Sequence, residues 1–471
     1  MVAEPVPLPA FQVVPRHQVY LGLDPQDGHR PCWSATEDSV GVVGPPRYGK
    51  SSGVIIPAIM SWDGPVVATS TRGDLLRFCG AWRHRIAAAR GGGVWTYDPF
   101  ASEPGVSGMR WSPLSGCTDP SVCYRRVAAM TAVVAHGISE GEHWRAGAAV
   151  ILRAVFHAAA LSGQGLVDVR RWLAAQDTRE PADILRRADT LARSWADDLQ
   201  AVERIGDRER GSFYSVARNC LDATAEPKVL ASTASSDLDL DLFLRTSSTL
   251  FIVGPSHYQE VAAPMIVGLV DSIAQRAAEL AALAPEGRLD PPLLLALDEV
   301  ANIAPLRSLP ALVSEGGGRG IVTLWAAQSF AQLRRRYGTD EQQAILTATT
   351  AKLIFGGMSN GADLRDISGW AGELREPQVT YYGSGAGTRD IMRSPAQPGG
   401  LVSQDETGQT HAVGGMYRPR LPVEAIQQLP PLYAWLFYRS DQPLLVETRP
   451  AGLMEPFAAL AGYTPTVPAG T

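Results

Sequence analysis

Residues 40–60 read VGVVGPPRYGKSSGVIIPAIM, and within them Gly44 to Ser51 fits the pattern G-x-x-x-x-G-K-[ST]. The context suits the pattern. Val40 to Val43 is a short apolar run fit for a buried strand, and Ser52 to Met60 reads as a helix that Pro57 kinks or ends. Gly44 and Gly49 let the backbone curl so that successive N–H groups point into one hollow. A helix starting near Lys50 adds its positive end to that hollow. The stretch Gly44, Pro45, Pro46, Arg47, Tyr48, Gly49, Lys50, Ser51 and Ser52 is therefore read as a phosphate-binding loop. Lys50 reaches the β- and γ-phosphates of ATP, and the Ser51 hydroxyl binds Mg²⁺. Lysine itself is informative here. The chain has 42 basic side chains, of which only Lys50, Lys228 and Lys352 are lysines. One of the three falls where a compact point charge serves and a planar guanidinium fits badly.

A second acidic motif completes the loop. Leu293 to Leu297 is apolar on both faces, as a central parallel strand requires, and it ends in Asp298-Glu299. In open α/β sheets ligands sit at the carboxyl ends of strands, so the pair is placed beside the phosphates. Asp298 is expected to orient Mg²⁺ and its waters, and Glu299 to polarise the attacking water. The next strand, 321–327, ends in Gln328, expected to sense the γ-phosphate.

Outward from these motifs, strands are expected at 40–43, 65–69 and 93–97. Residues 118–245 carry helical periodicity, and strands resume at Thr249 to Val253. A long amphipathic helix follows from His257 to Leu283. The expected fold is α/β: a RecA-like P-loop NTPase domain with a mostly parallel sheet, interrupted by an inserted all-α domain. Its parts are an N-terminal extension (1–30), the ATPase domain (31–117 and 246–460), the all-α domain (118–245) and a flexible tail (461–471). Residues 372–420, rich in Gly, Pro and Ser, read as mobile loops or a hairpin. Residues 1–9 and 463–471 read as disordered.

Composition narrows the class. The 471 residues are 45% hydrophobic and 19% charged, ordinary for a globular chain, with net charge −6 and no overall basic footprint. The five cysteines form no CxxC pair, which favours free thiols over zinc. The best apolar stretches, Val261 to Val270 and Pro291 to Leu297, fall well short of the ~20 residues of a transmembrane helix.

At this point the chain resembles the conjugative coupling ATPases of type IV secretion, the TraG/TraD type, from about residue 40 to 448. Residues 297–306 read LDEVANIAPL, 309–321 LPALVSEGGGRGI, 326–329 AAQS and 332–338 QLRRRYG. Coupling proteins show these features in the same order. Further echoes are YDPF at 97–100, RWSPL at 110–114 and KLIFGG at 352–357. The resemblance implies a homohexameric, Mg-ATP-driven ring at the inner membrane. Such a ring passes relaxase-bound single-stranded DNA or secreted protein to the secretion machinery. It departs from the family in three places. The family's usual N-terminal membrane helices are not found in this sequence, which is read as a soluble member, as a chain whose anchor is a separate protein, or as a truncated sequence; a cytoplasmic chain peripheral to the membrane is the expectation. The usual Asp-Pro-Lys-Gly-Glu is here STRGD at 70–74. Gly317 stands where relatives have a trans-acting arginine, with Arg319 two residues on as the candidate finger. Rival readings are a duplex-DNA or protein motor of the FtsK/HerA type, and a nucleotide-switched adaptor without translocation.

Overall fold

The computed structural model describes residues 15–134, 141–382, 401–404 and 410–462, with backbone only for the described part of 376–416. In chain order the strands are β1 (Tyr20–Asp24), β2 (Arg30–Trp33), β3 (Val40–Val43), β4 (Val66–Ser70), β5 (Val94–Tyr97), β6 (Thr249–Val253), β7 (Leu293–Leu297), β8 (Ile321–Ala327), β9 (Ala351–Phe355), β10 (Glu373–Tyr382), β11 (Leu401–Gln404), β12 (Thr410–Pro419), β13 (Tyr433–Tyr438) and β14 (Leu444–Glu447). Eleven of them form one sheet in the order β2-β1-β14-β13-β9-β3-β8-β7-β4-β6-β5. From β9 to β5 every neighbouring pair is parallel. From β9 outward through β13, β14, β1 and β2 every pair is antiparallel.

Parallel strands are covered on both faces, and β7 shows why its sequence is apolar throughout. Leu293, Leu295 and Leu297 enter one core, while Leu294 and Ala296 enter the core on the opposite face. The first core also takes in the helices that run from Pro120–Thr131 through Leu240–Arg245, inserted between β5 and β6. The second holds the helix after the phosphate loop, through Ile55 and Ile59, and the helix Asp74–Arg90, through Leu75 and Trp82.

One cation lies inside this second layer. Arg83 has no exposed surface. Its Nε donates to Thr249 Oγ1 at 2.6 Å, and Nη2 to the carbonyls of Gly64 at 2.8 Å and Ser248 at 3.4 Å. Nη1 donates to the carbonyls of Trp62 and Ile59. The guanidinium thus ties the end of the first helix to the starts of β4 and β6.

Three expectations need correction or limits. Residues 20–30 are not an extension, because β1 lies within the sheet, bonded to β14 and β2. Of the two readings of 372–420, loops or a hairpin, the described strands fit the hairpin: β10 and β11 pair antiparallel with β12 as a separate three-stranded sheet. The glycine-rich runs at 383–387 and 398–400, and the two tails at 1–9 and 463–471, lie outside the described residues. Helices Gly141–Ser162 and Gln259–Leu283 are long and apolar enough to cross a membrane by length and composition, which the sequence reading assigned to no segment. Their most apolar windows are 56% and 72% buried inside the protein, so a central place in the core accounts for the same composition.

Candidate active site

The tips of β3, β8, β7 and β4 stand side by side at the carboxyl edge of the sheet. The phosphate loop leaves β3. Gly44 N–H still bonds the Ala327 carbonyl of β8 at 3.2 Å, and the chain then turns through Arg47 and Gly49 at positive φ, 67° and 105°. At Gly49 the positive φ favours glycine, and a Cβ there would also press on Leu432 Cδ2 at 2.8 Å, which that side chain would have to move to admit. Leu432 N–H donates to the Tyr48 carbonyl at 3.0 Å and backs the loop from behind.

The helix that follows opens with a wide π turn, Ser51–Ile55, before the α segment Ile56–Ser61. Pro57 has no N–H to give the Gly53 carbonyl, and the wider turn sits just before it. No side chain caps the helix start, so its leading N–H groups face the loop's hollow.

Lys50 is buried in the loop, donating from Nζ to the carbonyls of Gly44 at 2.6 Å and Pro45 at 2.9 Å. Burial lowers its pKa, an effect opposed by Asp298 and Glu299 nearby. Ser51 Oγ donates to Asp298 Oδ2 at 2.5 Å, across 247 residues of sequence. Thr69 Oγ1 on β4 donates to the Asp298 carbonyl at 3.0 Å, fixing the tip from the other side. Asp298 is buried, and desolvation first, then the charge of Glu299, lifts its pKa to about 6.

That shift carries a stability consequence. The folded pKa lies above the ordinary aspartate value of 3.8, so between these values the native chain binds more protons than the unfolded chain. Stability then falls as pH rises from about 4 to about 6, and the cost is constant above. Asp298→Asn is expected to be more stable than the parent at pH 7 by about 2 kcal/mol in the absence of nucleotide. Denaturant titrations from pH 4 to 8 check this: the gap must open across the lower window and stay level above it.

Glu299 occupies the left-handed region with φ 52°, rare for a residue with a Cβ and typical of functional positions. Its carboxylate is gripped on both oxygens. Gln328 Nε2 donates to Oε1 at 2.8 Å, and Asn302 Nδ2 to Oε2 at 3.4 Å. Gln328, expected to sense phosphate, is therefore bonded to the acid itself. Sequence reading missed Asn302, although its place three residues after Glu299 was a usable signal. It also missed Thr69, which looks like any buried strand residue.

Arg319 is not brought to this site. It lies in the turn Gly317–Arg319 that precedes β8, at the opposite end of that strand from Gln328. Seven residues of strand amount to about 23 Å. Its side chain is 53% exposed and pairs with Glu315 at 3.0 Å. A side chain at Gly317 is ruled out differently: its Cβ would overlap the Glu37 carbonyl oxygen. In the basic run, Arg334 is committed to buried Asp363 at 2.7 Å and Arg336 is mostly buried. Arg335 alone of the three is fully exposed.

Hard oxygen donors from a serine and an aspartate suit Mg²⁺, and an uncapped helix start beside a buried lysine suits a polyphosphate. The residues present therefore fit Mg-nucleotide. Fold and site together define a RecA-like P-loop α/β protein. The Type IV secretory system Conjugative DNA transfer family model matches residues 18–376, and the chain belongs to that family. Two Escherichia coli proteins named Conjugal transfer protein TraG are each 23% identical over 320 residues. That match takes in 63% of this chain, which spans about half (49%) of those relatives. Among solved structures, the unbound conjugative coupling protein TrwBdeltaN70 aligns with TM-score 0.65 and 19% identity, over 89% of this chain and 87% of that one. TrwB with the ATP analogue ADPNP aligns at TM-score 0.60 and 18% identity, over 88% and 86%. TrwB with ADP and Mg²⁺ aligns at 0.59 and 18%, over 88% and 85%.

Proposed function

We propose that this chain is a coupling ATPase that hydrolyses Mg-ATP to drive single-stranded DNA, with its relaxase or another protein cargo, into a conjugative type IV secretion channel. The observation that carries the reading is the 2.5 Å contact of Ser51 with Asp298, which joins the two motifs into one site.

Lys50 exchanges the Gly44 and Pro45 carbonyls for the β- and γ-phosphate oxygens. Ser51 and Asp298 would hold Mg²⁺, which would supply charge neutralisation for the transferring phosphoryl group, and Ser52 and the loop N–H groups would line the phosphates. Glu299 takes the proton of the attacking water, with Gln328 and Asn302 holding its carboxylate in line. An arginine from a neighbouring copy, Arg319 being the candidate, stabilises charge in the transition state. Turnover then depends on assembly into a ring, with a hexamer the expected form. At neutral pH the desolvated Asp298 carboxylate is a standing cost, and Mg²⁺ binding offsets it.

Steady-state ATP hydrolysis across protein concentration, with and without single-stranded DNA, tests the reading. The rate per chain should rise with concentration, rise again with DNA, and fall at least about 100-fold in Lys50→Ala. Tight ATP binding with no turnover under any of these conditions would defeat the motor and leave a nucleotide-switched adaptor.

A further inference from the structure

Beyond the nucleotide site the sheet's carboxyl edge continues outward past β4 to β6 and β5. There the loops after β4, β6 and β5 meet, and they are tied together. Gly254 N–H bonds the Ser70 carbonyl at 2.9 Å. Glu103 accepts from Gly73 N at 2.7 Å and from Arg77 Nη1 at 2.7 Å. Asp98 accepts from Ser102 Oγ at 2.7 Å and from Glu103 N at 2.8 Å. On these loops Phe100 and Tyr258 lie face to face, ring centroids 4.2 Å apart and planes 5° from parallel. His257, itself exposed, flanks Tyr258 with centroids 4.2 Å apart.

Phe100 rests on the core beneath, while Tyr258 stays 40% exposed. With Phe100 stacked beneath Tyr258 and His257 close against its ring, the three form a preformed aromatic cluster on a rigid base, whose exposed members are Tyr258 and His257. Three of the acids around it are engaged: Asp74 with Ser70, Glu103 with Arg77, and Asp98 with Ser102 and the Glu103 N–H, while Glu260, two residues past Tyr258, is exposed. Arg72 is exposed and makes no side-chain hydrogen bond or ion pair among the described residues. It occupies the loop that joins β4 to this cluster. In sheet order β6 stands two strands from β7, about 10 Å from the strand that bears Asp298 and Glu299.

We propose that the Phe100–Tyr258 stack, with Arg72 beside it, is a base-stacking platform for single-stranded DNA. Every unpaired base presents a π face, whereas a duplex hides its faces inside the helix, so the platform selects single strands without reading sequence. Local charges are largely balanced, which makes stacking the main contribution and leaves Arg72 as a single phosphate contact. The inference rests on the DNA-transfer reading above and names where that DNA would touch the chain.

The test uses the full chain and fluorescence anisotropy with two labelled strands of about 16 nucleotides, one with bases and one abasic throughout. The parent should bind the base-bearing strand about 10-fold tighter. Tyr258→Leu keeps an apolar cover over Phe100 but has no π face. It should bring the ratio to within about twofold while leaving abasic-strand affinity and DNA-free ATP hydrolysis at parental values. Tyr258→Trp should keep the preference. Arg72→Ala should weaken both strands equally and lower the salt slope by about one.

Equal binding of the two strands by the parent, or no binding of either, overturns the proposal. So does a preference that survives Tyr258→Leu, or a Tyr258→Leu effect confined to sedimentation, which would mark a protein contact. Loss of the platform with hydrolysis intact leaves the motor standing. Base-dependent binding without hydrolysis would do the reverse.

Discussion

Replacing Glu299 with Gln lowers kcat for ATP hydrolysis by about 10²–10⁴-fold and leaves nucleotide affinity within about threefold. In the proposed mechanism the Glu299 carboxylate is the group that accepts a proton from water. Asp298 is bonded to Ser51, and Lys50 is a donor. An amide at 299 keeps the shape and can still bond Gln328, but it cannot take the proton. Loop, lysine and metal ligands are untouched, so ground-state binding persists while the chemical step fails. Removing a holder instead of the acid should cost less. Gln328→Ala frees Oε1 of Glu299, and Asn302→Ala frees Oε2. Each should cost roughly 10-fold through loss of orientation. Single-turnover hydrolysis with a parallel nucleotide-binding titration separates the two effects. A Glu299→Gln variant with a parental single-turnover rate would remove Glu299 from the mechanism.

Arg83→Met destabilises the chain by about 3–5 kcal/mol, a drop in melting temperature of roughly 3–5 °C for a chain of this length. Methionine fills much of the space and removes a buried charge, which by itself is favourable. Against that, five acceptors that Arg83 now serves lose a donor deep in the protein: Thr249 Oγ1 and the carbonyls of Trp62, Gly64, Ile59 and Ser248. Each acceptor left without another donor costs about 1–3 kcal/mol. Burial has already pulled the Arg83 pKa down to about 10, so the guanidinium is still charged at neutral pH. Arg83→Lys should recover less than half of the loss, because one ammonium cannot reach acceptors spread along a planar fork. Thermal melts of the nucleotide-free chain decide it. A Met variant as stable as the parent would mean that the acceptors find other donors.

Local sequence pattern was enough for the frame of the P-loop domain. The G-x-x-x-x-G-K-[ST] pattern sits between an apolar run and a helix, and the phosphate-binding chemistry needs those residue types at that spacing. Leu293 to Leu297 is apolar on both faces because both faces are covered, so strand, burial and acidic tip were legible together. The helical insertion showed through its periodicity. Tertiary structure decided what depends on partners distant in sequence. Strands β1 and β2 belong to the sheet because β14, over 400 residues later, supplies the hydrogen bonds for β1. Gln328 grips Glu299 because β7 and β8 are neighbours in the sheet, an adjacency that spacing along the chain does not encode. Arg319 is excluded from its own subunit's site by the length of β8, and Gly317 is held to glycine by the Glu37 backbone. Local pattern is written in the propensities and periodicities of neighbouring residues, whereas contact across the fold is set only when the sheet's strand order closes.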